Sequence, residues 1–358
     1  MTITVGIRCD AGPRTGVGHL VRCVALAEEL TARGMAVHFL SDLGGLDWAA
    51  HQLASRGLPW HPAPYDTVGL IAAASRLGLD AVVLDSYELP PAHSRALRAS
   101  GRTVVAIVDG DLRGQEADVY VDQNLDAELS APPLPPGAVR LAGLDYALLR
   151  RVVRELRPAA APGAGSGRTP EVVAFFGGTD AYRAAPVVGR LLIRTGTAWR
   201  ATIVAADDSL RDELLALRPG PGQQLEVIAP TDRLPALLAG ADLAISASGT
   251  STWELLCLGL PAALVWVVDN QMIGYGRTTA RRLAAGLGHL PDLAADGDAV
   301  EVLRDLLISP DTRAALAGRA WAAVDGLGTA RVAEALLRRA LGTRPSLAGG
   351  AAVDHPAE

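Results

Sequence analysis

Apolar residues along this 358-residue chain fall into short continuous runs, separated by longer stretches in which they recur every three or four positions. The runs at 2–7, 37–40, 81–84 and 104–108, and again at 172–176, 201–204, 225–228, 242–246 and 262–265, predict strands. Between them, helical spacing predicts a helix over 19–33, with Leu20, Val24, Ala27 and Leu30 on one face and Gly34 as its stop. Further helices are predicted over 184–194, 272–285, 299–307, 313–324 and 330–341. Strands that are apolar on both faces and alternate with helices indicate parallel sheets covered on both sides.

The pattern breaks once. Residues 158–170 read PAAAPGAGSGRTP, with no large apolar side chain, which is the composition of a flexible linker stiffened locally by proline. The expected organisation is a Rossmann-like domain over 1–157, the linker over 158–170, and a second Rossmann-like domain over 171–342. A Gly/Ala/Pro-rich tail over 343–358 is expected to be disordered. Parallel sheets bind ligands at the carboxyl ends of their strands, so two such domains would place a site in the cleft between them.

Composition narrows the chemistry. All 33 basic residues are arginine, which excludes a Schiff-base lysine or a P-loop lysine on phosphate. Aromatic residues make up 4%, so the core is expected to be Ala, Val and Leu. A net charge of −6 argues against an extended nucleic-acid surface but not against a local arginine-lined site. Cys9, Cys23 and Cys257 are too few and too scattered for a disulfide framework or a metal knuckle. The chain opens on a strand pattern without a leader-like segment and has no apolar stretch long enough to span a bilayer. The expectation is a cytoplasmic protein, monomeric or weakly dimeric.

Candidate chemistry gathers at strand ends. Gly16-Val17-Gly18-His19 follows the first strand and opens a helix. A GxG turn is shared by dinucleotide sites and plain tight turns. The full GxGxxG fails at Val21, and the second strand ends without a ribose-binding acid, although Asp42 is near. At a helix N-terminus the macrodipole disfavours imidazolium, and a neutral imidazole is a competent base. His19 is thus a candidate base, with capping of the turn as the plain alternative. Arg22, one turn on, is either at the same mouth or a solvated helix residue.

Asp85-Ser86-Tyr87 either faces the cleft or caps the turn before Pro90-Pro91. Asp109-Gly110-Asp111 and Asp122-Gln123-Asn124 supply carboxylates for acid–base work or make ordinary turns. No His or Cys lies beside them, so no metal is assigned.

In the second half, Phe176-Gly177-Gly178-Thr179-Asp180 allows close approach of backbone to a ligand. Ser246-Ala247-Ser248-Gly249-Thr250-Ser251-Thr252-Trp253-Glu254 follows a strand and opens a helix, the composition of a phosphate cradle. Glu254 suits a ribose diol, or else closes a capping box. Asp269-Asn270-Gln271 is expected to end the strand that begins at 262 and to face the cleft.

In order along the chain, GVGHLVRC with Arg8 and Asp10 upstream, LDSY, VDGD, DQNLDA, GLDYALLR, FFGGTD, SASGTSTWELLCLGLP and VVDNQ resemble the PseG/SpsG family. That family comprises hydrolases of UDP-linked diacetamido-trideoxy sugars in pseudaminic acid biosynthesis and related spore coat polysaccharide proteins. The likeness spans residues 3–284, and the second half is also similar to the donor-binding half of MurG-type glycosyltransferases.

The resemblance implies an α/β, GT-B-like fold of two Rossmann-like parallel-sheet domains facing a cleft, with UDP held by the second. It implies hydrolysis of a UDP-sugar at the C1–O bond, without metal or other cofactor. His19 would be the base for water, and Tyr87 and Asn270 would complete the catalytic set. Asp10, Gly18, Arg22, Asn124 and Gln271 would bind substrate, and Gly177, Gly178, Thr179, Ser248, Gly249, Thr250 and Glu254 would hold the nucleotide. Glu88 stands where the family often has Gly, and Gly110 splits the family's acidic pair. Both departures bear on which sugar is bound. The alternatives are a GT-B glycosyltransferase using a UDP-sugar and a hydroxyl acceptor, or a non-catalytic nucleotide-sugar-binding protein.

Overall fold

In the computed structural model, which describes residues 2–12, 16–163, 167–293 and 297–342, the apolar runs become two all-parallel sheets. The first is built from β1 Thr4–Cys9, β2 Ala36–Ser41, β3 Trp60–Pro62, β4 Ala81–Asp85, β5 Thr103–Ile107, β6 Val119–Asp122 and β7 Val139–Ala142. The second is built from β8 Glu171–Phe175, β9 Trp199–Val204, β10 Gln223–Ile228, β11 Leu243–Ala247, β12 Ala262–Trp266 and β13 Ala285–His289. Spatial order is β3-β2-β1-β4-β5-β6-β7 in one and β10-β9-β8-β11-β12-β13 in the other. Every residue of β4 and β5 is buried, which is why these strands read as unbroken apolar runs.

Strand order reverses beside β1 and again beside β8. The crevices at β1/β4 and β8/β11 are therefore the topological switch points where α/β sheets bind ligands. The helix Gly18–Ala32 seals the first sheet by packing Leu20, Val24, Ala27 and Leu30 against Val5, Ile7 and Cys9. Its stop is as expected: Gly34 is left-handed at φ 81° and its N–H donates to the Thr31 carbonyl at 2.9 Å.

The two halves exchange helices. Helix Gly328–Gly342 sends Val332, Ala333, Leu336 and Ala340 into the core of the first sheet. It belongs by packing with the first half, although its position in sequence groups it with 171–342. Its apolar stripe is buried there beside helix Gly18–Ala32. Conversely, Val153 of the short helix Arg151–Leu156 packs with Leu255, Leu256 and Leu258 of the second half.

The described flank of the 158–170 segment is docked rather than loose. Trp321 Nε1 donates to the Pro158 carbonyl at 3.0 Å, and Arg157 donates to the carbonyls of Cys257 and Trp321 at 2.6 and 2.9 Å. Residues 164–166 and the tail 343–358 lie outside the described residues.

One boundary shifts where it matters. The strand beginning at 262 ends at Trp266, so Asp269, Asn270 and Gln271 open a helix, Asp269–Ala280, instead of closing a strand. An acidic first-turn residue favours that start. The helix ends before Ala285, which belongs to β13.

Candidate active site

The C-terminal ends of β1, β4, β5 and β6 converge, and their polar residues form one network centred on Asp85. His19, in the first turn of helix Gly18–Ala32, places Nδ1 2.7 Å from Asp85 Oδ1. Arg22 reaches the same carboxylate with Nε at 2.7 Å and Nη2 at 2.6 Å. The Cys23 thiol adds a fourth contact at 3.4 Å. Burial alone would raise the Asp85 carboxyl, but the charge of Arg22, and then of His19, outweighs it and holds it well below the usual carboxylate range. An ionised carboxylate only accepts, so a neutral His19 carries its hydrogen on Nδ1 and keeps the lone pair of Nε2. Nε2 has no partner among the described residues, and the ring remains 16% exposed.

Asp109, just past β5, extends the network. Arg22 Nη1 and Nη2 donate to it at 3.1 and 3.2 Å, Asn124 Nδ2 at 3.0 Å, and the Tyr87 hydroxyl at 2.5 Å. Burial works against this carboxylate too, but Arg22 and the Tyr87 hydroxyl bring it down to about 2. Burial and then the charge of Asp109 push the Tyr87 phenol up, so Tyr87 stays protonated at neutral pH. Its ring meets His19 edge-on, with centroids 4.8 Å apart. Asp122 accepts from Asn124 Nδ2 at 2.9 Å and Arg140 Nη2 at 3.0 Å.

Several residues expected to touch the ligand are tied into the protein's own network. Arg22 is 4% exposed and saturated by two carboxylates, so it stands behind His19 rather than at the mouth. Asn124 is committed to Asp109 and Asp122. Asp10 pairs with Arg8 and accepts the Asp42 N–H at 2.9 Å, tying the first loop to the second. The Asp109 and Asp111 carboxylates do not form a pair: Asp111 Oδ1 accepts the Arg113 N–H at 2.8 Å.

The facing half contributes backbone. Helix Ser251–Leu258 starts at Thr250 without a side-chain cap, and among the described residues the amides of Thr250 and Ser251 have no acceptor. This leaves free N–H groups at the positive end of a helix. Ser248 is buried and fixed through its N–H to the Val265 carbonyl at 2.8 Å.

Gly177 and Gly178 precede no helix directly. The next helix begins at Ala184, and its first amides, of Ala184 and Ala185, are taken by the Asp180 carboxylate at 2.8 and 3.0 Å. The Gly177–Thr179 turn therefore offers its own amides and close approach, not a helix terminus.

Glu254 is gripped by Arg150 in a bidentate pair, both contacts 2.7 Å. Each oxygen keeps a lone pair that a diol could use. Arg150, Asp85 and Asp109 complete the constellation: the motifs mark Asp85 and Asp109 only as cleft-facing or turn acids, and nothing in them singles out Arg150.

The halves touch at the site itself. A Cβ on Gly18 would lie 3.3 Å from Thr250 Oγ1, and one on Gly178 would lie 2.8 Å from Val17 Cγ2. On the second half, Gln271 Oε1 accepts the Val267 N–H at 2.9 Å, and a Cβ on Gly249 would lie 3.8 Å from Gln271 Nε2. Asn270 is exposed. Across the cleft, Arg277 Nη1 donates to the Leu125 carbonyl at 2.9 Å, and Arg281 pairs with Asp126. Among the described residues no group of three His, Cys, Asp or Glu could hold a metal, and no helix is long and apolar enough to cross a membrane.

Two facing parallel-sheet Rossmann-like domains define the GT-B fold. Acinetobacter baumannii MurG superposes with a TM-score of 0.69 at 16% identity, over 94% of this chain and 99% of that one. UDP-GlcNAc 2-epimerase from Neisseria meningitidis, solved bound to UDP-GlcNAc, gives 0.60 at 12%, over 94% and 100%. The spinosyn rhamnosyltransferase SpnG, complexed with thymidine diphosphate, gives 0.60 at 14%, over 93% and 100%. No family model and no curated protein sequence matches the chain.

Proposed function

We propose that this protein hydrolyses a UDP-linked sugar, as its motif resemblance to the PseG/SpsG hydrolases implies. The observation that carries the reading is the His19–Asp85 pair, whose Nε2 has no partner among the described residues, on a helix that starts at Gly18 against Thr250, where helix Ser251–Leu258 begins without a side-chain cap. His19 Nε2 takes a proton from water, and the water oxygen forms a bond to the sugar C1. The bond from C1 to the diphosphate oxygen breaks, and its electron pair leaves with UDP. Charge developing on the diphosphate is met by N–H groups at Thr250, Ser251 and the Gly177–Thr179 turn, which fits a chain without lysine. Asp85 fixes the imidazole tautomer and stabilises imidazolium as it forms. Tyr87 and Asn270 line the sugar side, and Glu254 takes the ribose.

A second reading has its own support. This chain shares its fold with MurG and with the spinosyn rhamnosyltransferase SpnG, and the same imidazole could deprotonate an acceptor hydroxyl instead of water. Enzyme incubated with UDP-, GDP-, CMP- and dTDP-sugars without acceptor separates the two. Free sugar released stoichiometrically with UDP supports hydrolysis. Nucleotide release only after an acceptor is added supports transfer. If His19→Asn keeps the wild-type kcat in either assay, the base assignment is wrong.

A further inference from the structure

Arg113 is a cation beside the site that the network does not use. It lies in the turn after β5, where the DGD sequence leads into Leu112-Arg113-Gly114. Its guanidinium carbon sits 4.6 Å from the centroid of the Tyr87 ring, and the same ring meets His19 edge-on. Guanidinium and imidazole thus both rest on one phenol.

The arginines nearby all have carboxylates: Arg22 has Asp85 and Asp109, Arg140 has Asp122, and Arg8 has Asp10. Arg113 has none among the described residues, and its Nε is buried without a hydrogen-bond partner. The neighbouring Asp111 carboxylate accepts the backbone N–H of Arg113, not its side chain.

The backbone is also held in an uncommon state. Arg113 is left-handed at φ 51°, followed by Gly114 at φ 66°. A long side chain in that conformation is unusual and collects at functional sites. Packing over the Tyr87 ring holds the guanidinium while its donors have no acceptor among the described residues.

The geometry points to Arg113 as the residue that recognises an anionic oxygen group of the substrate, either a carboxylate on the sugar or the diphosphate. A planar donor fork matched to two oxygens is the chemistry that arginine supplies and lysine does not. The inference rests on the nucleotide-sugar reading for its location, but it can be tested apart from it.

Binding of UDP, UDP-glucose, UDP-glucuronate, inorganic diphosphate and free glucuronate is measured by calorimetry on the wild type, Arg113→Gln and Arg113→Lys. For a sugar carboxylate, the wild type prefers UDP-glucuronate to UDP-glucose by roughly tenfold or more, and Arg113→Gln erases the preference while UDP is unaffected. For the diphosphate, Arg113→Gln weakens UDP and both UDP-sugars alike, by about tenfold, and Arg113→Lys recovers only part. If Arg113→Gln binds all five ligands as the wild type does, the inference is overturned and nucleotide binding stands. If the wild type binds no nucleotide but takes diphosphate or glucuronate through Arg113, the nucleotide reading falls and this one stands. If nothing binds, both fall.

Discussion

His19 Nδ1 lies 2.7 Å from an Asp85 carboxylate that is fully buried and is also gripped twice by Arg22. In the neutral imidazole this arrangement puts the hydrogen on Nδ1 and leaves Nε2 without a partner among the described residues. His19→Asn removes the proton acceptor and is expected to lower kcat by about a hundredfold to ten-thousandfold with little change in KM. Asp85→Asn keeps the shape but frees the tautomer and is expected to cost kcat a comparable factor. Steady-state assay of UDP release reads both. Equal kcat for Asp85→Asn and the wild type would separate the pair from catalysis.

Arg22 compensates two carboxylates at once, the fully buried Asp85 and the partly buried Asp109. Arg22→Met leaves Asp85 and Asp109 facing each other without their shared cation, and breaking such a buried pair costs about 3–5 kcal/mol. Urea unfolding should show that loss as a lower midpoint. The triple change Arg22→Met, Asp85→Asn, Asp109→Asn should recover part of it, since the uncompensated charges are then gone. No recovery would mean that the cost comes from packing alone.

Two sets of carboxyls set the acid side of the stability curve in opposite senses. Asp85 and Asp109 are depressed, so their contribution is fully present above about pH 4, the unfolded value, and is lost as pH falls, for Asp109 through about 2 and for Asp85 lower still. Asp180 is raised by burial to about 6, although it accepts two amide N–H bonds. Between pH 4 and 6 the folded chain keeps a proton there that the unfolded chain has released, so this group makes stability fall as pH rises. Comparing unfolding free energies at pH 4 and pH 6, Asp180→Asn should lose less across the interval than the wild type, by roughly 1–3 kcal/mol. An unchanged difference would assign the slope to another group.

How much of this could be read from sequence depends on whether the information is local. His19 was legible because strand, glycine turn and helix follow one another directly. Asp85 and Asp109 were visible as acids at strand ends, but their convergence on Arg22 follows from β4 lying between β1 and β5, and no local pattern states the order of strands. Arg22 reads from spacing as either a mouth residue or a solvated helix residue and is neither, for the same reason: one turn from His19, it points to strands that only the sheet brings there.

The strands Trp60–Pro62, Val139–Ala142 and Ala285–His289 escaped the pattern because they are short, at or next to sheet edges, and carry proline, arginine or glycine instead of apolar runs. Helix Gly328–Gly342 was recognised, but not its partner, since an apolar stripe does not say which sheet it covers.

Gly178 is needed for its lack of a side chain. A Cβ there would come within 2.8 Å of Val17 Cγ2, in the loop that carries His19. Gly178→Ala should therefore push the two loops apart and lower kcat/KM for UDP release, while the melting temperature changes little. Val17→Ala removes the colliding methyls, so the double variant should regain much of the lost activity. Additive losses in the two single variants would show that the contact does not set the distance between the halves.

The Arg150–Glu254 pair joins residues 104 positions apart and decides how Glu254 is presented. If Glu254 takes the ribose, the wild type should bind UDP more tightly than 2′-deoxy-UDP by about tenfold, the worth of one good hydrogen bond to a charged group. Glu254→Gln should shrink that gap and leave 2′-deoxy-UDP nearly unaffected. Arg150→Met acts differently. It strands a carboxylate that is 5% exposed, so it should lower the unfolding midpoint as well as the UDP affinity. Arg150→Met with Glu254→Gln should restore the midpoint but not the preference for the 2′-hydroxyl, because the charge is gone and so is the acceptor. A wild type indifferent to the 2′-hydroxyl would leave Glu254 as the anchor of Arg150 and nothing more, and the ribose would have to be held elsewhere in the second half.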